Sequence, residues 1–237
     1  MRVLKIVIEG ITTSFRYPRY MLGVQPTYEM PPPATIYGHI CSTLGNWVEP
    51  EGILFAYHFT YQSKLMDLEH IHVLAVSSGK LSGTTIPKVL EGNINPFKRE
   101  ILYMPRLVLY LNRPEWEPDF RSPHYAVVLG RSQDLCTYSS VSVVDLAQSE
   151  TAYFEHTLLP YASPLKTPQG VVLSMPRRLD YANKRKASFE SYVMLNQRVR
   201  SSEFLRFGNS DTYKFWVDPT ATQIGGLMLG LMFHGFV

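Results

Sequence analysis

The sequence predicts an α+β fold in which helices pack on one face of a sheet. Three observations support this class. Residues 2–9 alternate between two apolar faces, which indicates a buried strand. Three consecutive prolines at positions 31–33 are followed by apolar residues at helical spacing, which indicates the start of a helix. Residues 53–62 are rich in aromatic side chains, which is typical of a strand.

The first helix is the best-defined element. The apolar residues at helical spacing are Ile36, Ile40, Leu44 and Trp47, with Tyr37 and Cys41 on the same face. The prolines hold the preceding chain extended, so we expect the helix to begin at Ala34 or Thr35 and to end at Gly45.

The remaining elements follow in order. We expect a loop over residues 11–30, a short strand over 71–76, a strand over 101–111, a short helix within 116–128 and a strand over 141–146. Residues 77–100 lack a period and contain several glycines and prolines, so they predict a protruding hairpin or loop. This order suits a ferredoxin-like sheet, as in RNA-recognition domains. Residues 1–146 then form the main domain, and residues 147–237 a basic, less regular extension packed on it.

The tail, residues 225–237, is apolar and contains four glycines. It is too short to span a bilayer, which needs about 20 residues. We therefore interpret it as a last strand or as a surface for a protein partner. The amino terminus lacks a long apolar segment, and the two cysteines have no metal-ligand spacing. We expect a cytoplasmic protein without a membrane partner, a metal or another cofactor.

The positive charge is concentrated in one part of the chain. Residues 160–214 contain ten Lys or Arg and four Asp or Glu, a net charge of +6, whereas the whole chain carries +3. This asymmetry favours a region that faces a polyanion, although a solvated basic face without a ligand explains it equally well.

The sequence has no motif of an established catalytic or nucleotide-binding site: no phosphate-binding glycine loop, dinucleotide fingerprint, zinc-protease helix or serine-hydrolase elbow. His70 and His72 follow Glu69, but no third metal ligand lies nearby, and exposed histidines on a strand explain them better. The chemistry that remains is binding.

Basic residues are interleaved with aromatic residues along much of the chain. Guanidinium groups suit phosphates, and aromatic faces suit unstacked bases, so this pattern indicates single-stranded nucleic acid. Core packing accounts for most of the 15 tyrosines. The segment 15–20, which has no strand or helix period, is expected to be exposed.

Several stretches resemble a known family. Residues 14–18 (SFRYP) and 27–38 (TYEMPPPATIYG) resemble the amino-terminal signature of the CRISPR-associated Cas-five family. Residues 98–102 (KREIL) and 129–135 (LGRSQDL) continue the resemblance in the family's order. These proteins are subunits of type I Cascade and belong to the RAMP superfamily; the likeness is greatest to I-B-like forms. No motif is recognisable from Ala147 onward.

The resemblance implies a ferredoxin-like domain with a β-hairpin thumb, which residues 77–100 would supply. It also implies that the protein holds the 5′ handle of the CRISPR RNA and contacts the first backbone (Cas-seven) subunit and the large (Cas-eight) subunit, with target DNA contacted only indirectly. One branch of the family cleaves RNA with a Tyr and an adjacent Lys-His pair. This sequence has no Lys-His pair and matches the tyrosine only loosely, at Tyr37.

We therefore expect a non-catalytic RNA-binding subunit in antiviral defence. The alternatives are a metal-independent endoribonuclease that processes the precursor CRISPR RNA and a general single-stranded RNA-binding protein. The expected RNA-binding residues are Phe15, Arg16, Arg19, Tyr37, Lys98, Arg99, Arg131, Lys184, Arg185 and Lys186.

Overall fold

The structure is a computed structural model that describes residues 1–18, 23–75, 79–88, 91–163, 165–167, 169–206 and 213–237. Two α-helices, α1 (Pro33–Leu44) and α2 (Glu117–Arg121), accompany short 3-10 helices at Pro114–Trp116 and Ser201–Glu203. The strands of the amino-terminal part are β1 (Arg2–Gly10), β2 (Thr12–Thr13), β3 (Phe15–Arg16), β4 (Val24–Gln25), β5 (Thr27–Tyr28), β6 (Leu54–Thr60), β7 (Ser63–Ala75), β8 (Glu91–Tyr103), β9 (Arg106–Leu111) and β10 (Cys136–Asp145). The strands that follow are β11 (Ala147–Ser149), β12 (Tyr153–Phe154), β13 (Thr157–Pro160), β14 (Leu165–Lys166), β15 (Val171–Asp180), β16 (Lys186–Leu195), β17 (Val199–Arg200), β18 (Leu205–Arg206), β19 (Phe215–Asp218), β20 (Leu229–Leu231) and β21 (His234–Gly235).

The central sheet is antiparallel and has the order β10-β1-β9-β6-β21. Helix α1 connects β1 to β6 along the chain, and α2 lies between β9 and β10. The α+β class predicted from the sequence is confirmed. No described helix is long and apolar enough to cross a membrane.

Strand β1 is buried on both faces, as its alternation predicts. Leu4, Ile6 and Ile8 belong to the core that also contains the apolar face of α1. Val3 and Val7 point to the other face, where they pack with residues of a second sheet. This second sheet has the order β11-β19-β20-β12-β17. The central sheet is therefore covered on both sides.

Helix α1 agrees with its prediction. It begins at Pro33, the last of the three prolines, and ends before Gly45, which adopts the left-handed conformation with φ of 76°. Trp47 lies beyond the helix and is exposed rather than part of its apolar face. The helix rests on the central sheet through buried Ile36 and Ile40.

The predicted loops contain more strand than expected. β7 and β8 pair along their whole length, from Ser63 opposite Tyr103 to Ala75 opposite Glu91. The hairpin therefore starts well before residue 77, and residues 71–75 of the short strand expected at 71–76 belong to its distal part. Exposed apolar side chains such as Leu68 and Val73 on both faces explain why the sequence shows no clear period. The expected loop over 11–30 contributes β2 and β4, which pair with β8.

The carboxy-terminal part is also more regular than expected. β15 and β16 form a hairpin of ten-residue strands, with a register shift between Pro176 and Arg178. The apolar tail is covered by the chain itself, since β20 joins the second sheet and β21 pairs with β6. Phe236 is buried in the main core. The tail therefore forms two short strands in two sheets, and its interpretation as a surface for a partner is wrong.

His234 makes folding depend on pH. Its side chain is buried on β21, and Nε2 donates a hydrogen bond to the carbonyl of Leu158 at 3.0 Å. Burial lowers the pKa of His234 from 6.5 to about 4. Between these values the unfolded chain binds a proton that the folded chain does not bind, so acid favours unfolding.

We predict that the free energy of unfolding is unaffected by His234 above pH 6.5 and falls as the pH drops toward 4, by up to about 3 kcal/mol. Chemical denaturation across this pH range measures the slope, and His234→Gln should reduce it. His72→Gln, at an exposed position on β7, is the matched control and should retain the slope. An unchanged slope in His234→Gln would contradict this assignment.

Candidate nucleic-acid interface

A groove of about 720 Å³ runs beside the first half of α1. Its walls come from residues 14–18, from α1, from residues 128–131 and from the β15–β16 hairpin, with Arg99 of β8 adding to one side. These segments lie far apart in the sequence, and the packing of α1 on the central sheet brings them together. We call this feature the arginine groove.

Four arginines line the groove: Arg16, Arg99, Arg131 and Arg185. Among the described residues that line it, none is Asp or Glu. All four are in the set expected from the sequence to bind RNA. A concave surface lined by one sign of charge concentrates its field, and guanidinium groups form paired hydrogen bonds with phosphate oxygens. The groove is therefore suited to a phosphate backbone.

Acidic residues behind the groove hold two of these arginines in place. Arg131 forms a two-pronged contact with Asp134, through Nε to Oδ2 at 2.8 Å and Nη2 to Oδ1 at 2.7 Å. Its Nη1 donates to Glu69, which also accepts a bond from Arg99 Nε at 2.6 Å. The hydrogen bonds with Asp134 are the main reason that the pKa of Arg131 is raised. Both arginines are thus held in position, and the carboxylates neutralise part of their positive charge.

The other two arginines are exposed. Arg16 lies on β3 beside the groove, and Arg185 lies in the turn of the β15–β16 hairpin. Lys184 and Arg185 have positive φ angles of 50° and 59°, a conformation that glycine or asparagine adopts at lower cost. The Arg185 guanidinium lies over the ring of Tyr181, 5.4 Å from its centroid. The turn therefore directs a cation toward the groove despite its backbone strain.

The amino-terminal end of α1 adds a positive dipole. Pro32, Ala34 and Thr35 line the groove, no side chain caps the helix, and its first turn contains no acidic residue. Pro32 and Pro33 have no N–H group, and the Thr35 N–H donates to the Pro32 carbonyl at 2.8 Å, so the helix dipole rather than a set of unpaired N–H groups favours an anion at this end. The dipole thus acts in the same direction as the four arginines.

Gly38 opens the middle of α1 toward the groove. A Cβ built at this position meets no heavy atom within 4 Å, so internal packing does not require glycine here. Glycine within a helix costs about 1 kcal/mol relative to alanine. The missing side chain instead leaves room for something to approach the helix backbone from outside.

The other expected site residues occupy different environments. Phe15 lies in the groove wall, but it is buried and contacts Phe59 edge to face, so its expected exposure is wrong. Tyr37 is also buried, and its hydroxyl donates to the carbonyl of Val48 at 2.5 Å. Burial raises the pKa of Tyr37 to about 12. The structure therefore contradicts a surface role for both aromatic side chains.

The remaining expected residues are basic. Lys98 is exposed on β8, outside the groove, and Lys184 and Lys186 flank Arg185 at the hairpin turn. Arg19 lies outside the described residues.

His39 is a groove residue that sequence reasoning missed. Its Nδ1 donates to the carbonyl of Val128 at 2.9 Å, and its Nε2 accepts from the hydroxyl of Tyr138 at 2.8 Å. Burial lowers its pKa, which keeps the ring neutral. His39 therefore ties α1 to the far wall of the groove. No sequence signal distinguished it, since its two partners are about 90 or more residues away.

A second polar cluster adjoins a cavity of about 520 Å³, which His58 and Glu155 line. His58 Nε2 lies 3.6 Å from Glu155 Oε1, and the rings of His58 and His156 are 5.3 Å apart. Burial, followed by the charge of His156, lowers the pKa of His58 to about 4. No cluster of three metal-ligating side chains occurs in the described ranges of the chain.

No protein-family model and no curated protein matches this sequence. Solved structures do match. A chain of a CRISPR RNA-guided surveillance complex aligns with a TM-score of 0.53 and 15% identity, over 85% of this chain and 92% of that chain. The protein has the fold of CRISPR-associated proteins.

Two further solved structures have a similar fold. A CRISPR protein from Archaeoglobus fulgidus aligns with a TM-score of 0.54 and 10% identity, over 98% of this chain and 100% of that chain. A chain of the type III-B Cmr-beta complex bound to cognate target RNA and AMPPnP aligns with a TM-score of 0.51 and 12% identity, over 85% of this chain and 86% of that chain. At these identities the likeness concerns the fold.

We predict that Gly38→Ala raises the free energy of unfolding by about 0.5–1 kcal/mol, because the added methyl group meets open space and removes the glycine penalty within the helix. Denaturant titration measures the change. Gly230→Ala is the contrasting control, since its Cβ would lie 2.4 Å from the ring of Phe154 and should destabilise the protein. A destabilised Gly38→Ala variant would show that an internal contact requires this glycine.

Proposed function

We propose that the protein is an RNA-holding subunit of a CRISPR RNA-guided complex and that the arginine groove binds the RNA backbone. The observation that carries the proposal is the convergence of Arg16, Arg99, Arg131 and Arg185 on one groove without acidic lining among the described residues, in a chain with this fold. The open helix face at Gly38 gives the backbone room to approach.

The finer assignment is to the Cas-five family of type I Cascade. The strand order β10-β1-β9-β6, with α1 and α2 in the connections, supports a ferredoxin-like sheet, and the β7–β8 hairpin, longer than the 77–100 predicted, supports the thumb. The motif at residues 27–38 enters the groove through Pro32, Ala34, Thr35 and Gly38, which supports its link with RNA. In this proposal the RNA segment is the 5′ handle.

The β7–β8 hairpin supports an association with other subunits. It exposes Leu65, Met66, Leu68, Ile71, Val73, Leu74 and Ile94. Apolar side chains concentrated on one exposed element indicate a protein interface. In the proposed complex this surface contacts the backbone subunit, while the large subunit contacts the chain elsewhere and target DNA is reached only through the assembly.

The groove offers binding without proton transfer. RNA cleavage without a metal needs a base, an acid and a cation within hydrogen-bond reach. Within the described lining the only histidine is His39, and both its ring nitrogens are hydrogen-bonded inside the fold. Tyr37, the loose match to the tyrosine of the cleaving branch, is buried with its hydroxyl bonded to Val48. These contacts favour a non-catalytic role.

We predict that the double charge reversal Arg16→Glu and Arg185→Glu weakens binding of single-stranded RNA, because two phosphate contacts become repulsive. The slope of log affinity against log salt should fall by about 0.7 for each lost contact. Fluorescence anisotropy at several salt concentrations measures both quantities.

The matched control is Arg2→Glu with Lys214→Glu, which changes the net charge equally at exposed positions outside the groove. Its slope should stay close to that of the native protein. An equal loss in the two double variants would restore the interpretation of a solvated basic surface.

We also predict that the purified protein does not cleave RNA that contains a CRISPR repeat. The assay is incubation in EDTA with analysis of the RNA length, beside a known processing nuclease. Cleavage at a single position would contradict the non-catalytic role. The variant His58→Gln with His156→Gln would then show whether this histidine pair is responsible.

A further inference from the structure

A second, smaller pocket of about 330 Å³ adjoins the arginine groove at the carboxy-terminal half of α1. Gly38 and Ser42 line both the groove and this pocket, so the two are continuous. Trp47 and Tyr125 form its sides, and each side chain is 58% exposed. We call it the aromatic pocket.

Trp47 is held in position although it is exposed. Its ring lies 3.8 Å from the ring of Tyr181, centroid to centroid, and the Arg185 guanidinium lies over Tyr181. The three side chains form a stack that starts in the arginine groove and leads to the aromatic pocket. An exposed aromatic ring that is already ordered loses little conformational entropy when a planar ligand stacks on it.

Polar groups at the pocket can select the ligand. The Ser42 hydroxyl and the Asn46 side-chain oxygen have no hydrogen-bond partner among the described residues, whereas the Asn46 amide nitrogen donates to the carbonyl of Leu44. A hydroxyl and an amide oxygen provide a donor and acceptors for the edge of a planar heterocycle. No charged residue lies among the described lining of this pocket, so it does not suit a phosphate.

We propose that the aromatic pocket binds one unstacked nucleobase of the RNA whose backbone occupies the arginine groove. The inference rests on the proposed function for the RNA and adds a base-binding subsite to it. A base that leaves the groove beside Gly38 enters the pocket, stacks between Trp47 and Tyr125, and presents its edge to Ser42 and Asn46. Aromatic stacking recognises bases in this way in single-stranded RNA complexes.

The test uses the full chain and single-stranded RNA that carries 2-aminopurine at one position at a time. In the native protein, one position should show a fluorescence change on binding that marks the pocket. Tyr125→Ala should abolish this change and weaken RNA binding about 5- to 100-fold, as expected for one lost stacking contact. Tyr125 is chosen because it is exposed and its only described ring contact is with His124.

Two controls separate the pocket from the groove. Tyr161→Ala removes a comparably exposed tyrosine elsewhere and should leave binding unchanged. The salt slope of Tyr125→Ala should remain native, because no phosphate contact is lost, whereas the groove variant Arg16→Glu with Arg185→Glu lowers it. RNA without a base at the responsive position should bind the native protein as weakly as complete RNA binds Tyr125→Ala, and the two changes together should add little.

If Tyr125→Ala binds every labelled RNA with native affinity, the aromatic pocket is overturned and the arginine groove is not affected. The pocket would also be overturned if Tyr125→Ala lowered the affinity equally for RNA with the responsive base and for RNA without it. Absence of RNA binding by the native protein would instead refute the proposed function, and the pocket with it.

Discussion

Strand β1 must be covered on both faces, and much of the fold follows from this requirement. Its even-numbered apolar residues face α1, and its odd-numbered ones face the second sheet. Lys5 is the exception, because it carries a charge into the second interface. There Asp218, fully buried, accepts hydrogen bonds from Lys5 Nζ at 2.6 Å and from the Tyr110 hydroxyl at 2.8 Å. A buried carboxylate is tolerated only with such partners. Asp218 reaches Lys5 and Tyr110 in one alignment of the second sheet on the central sheet, so the contact favours that alignment.

Coverage of β1 by α1 also creates the groove. The helix lies on the sheet with one face, and its amino-terminal end remains beside the connections that enter and leave neighbouring strands. Residues as far apart as Arg16, Arg131 and Arg185 therefore meet along one helix. The salt bridges to Glu69 and Asp134 divide the arginines into two kinds. Arg99 and Arg131 are held by these carboxylates and partly neutralised, whereas Arg16 and Arg185 are exposed, and Arg185 lies over the ring of Tyr181.

The sequence predicted those elements whose signals are local. Helix α1 was predicted almost to the residue, because prolines before it and Gly45 after it determine the backbone without reference to the rest of the chain. The four groove arginines were among the residues predicted to bind RNA, because basic side chains interleaved with aromatic ones suit a nucleic acid, although Arg99 is buried. Their pairing with Glu69 and Asp134 was not, because those contacts depend on how β7 and the segment after α2 pack together.

Aromatic residues and strands proved harder to predict. Phe15 lies in a segment without a period, yet it enters the core because the short strand β3 turns it inward to meet Phe59. The same residue types serve cores and binding surfaces, so composition does not separate Tyr37 from Trp47. The β7–β8 hairpin exposes apolar residues on both faces and thus lacks the alternation that identifies a half-buried strand.

Strand β21 has a consequence for how the chain folds during synthesis. His234 pairs with Phe55, 179 positions earlier, and the aromatic ring of Phe236 stacks on Phe55 in the main core. At a translation rate of about 5–20 residues per second, the edge of β6 waits roughly 10–40 seconds for its neighbour. Throughout this interval an unpaired strand edge and part of an aromatic core remain available to other chains. We therefore expect the nascent protein to depend on chaperones until β21 has emerged from the ribosome.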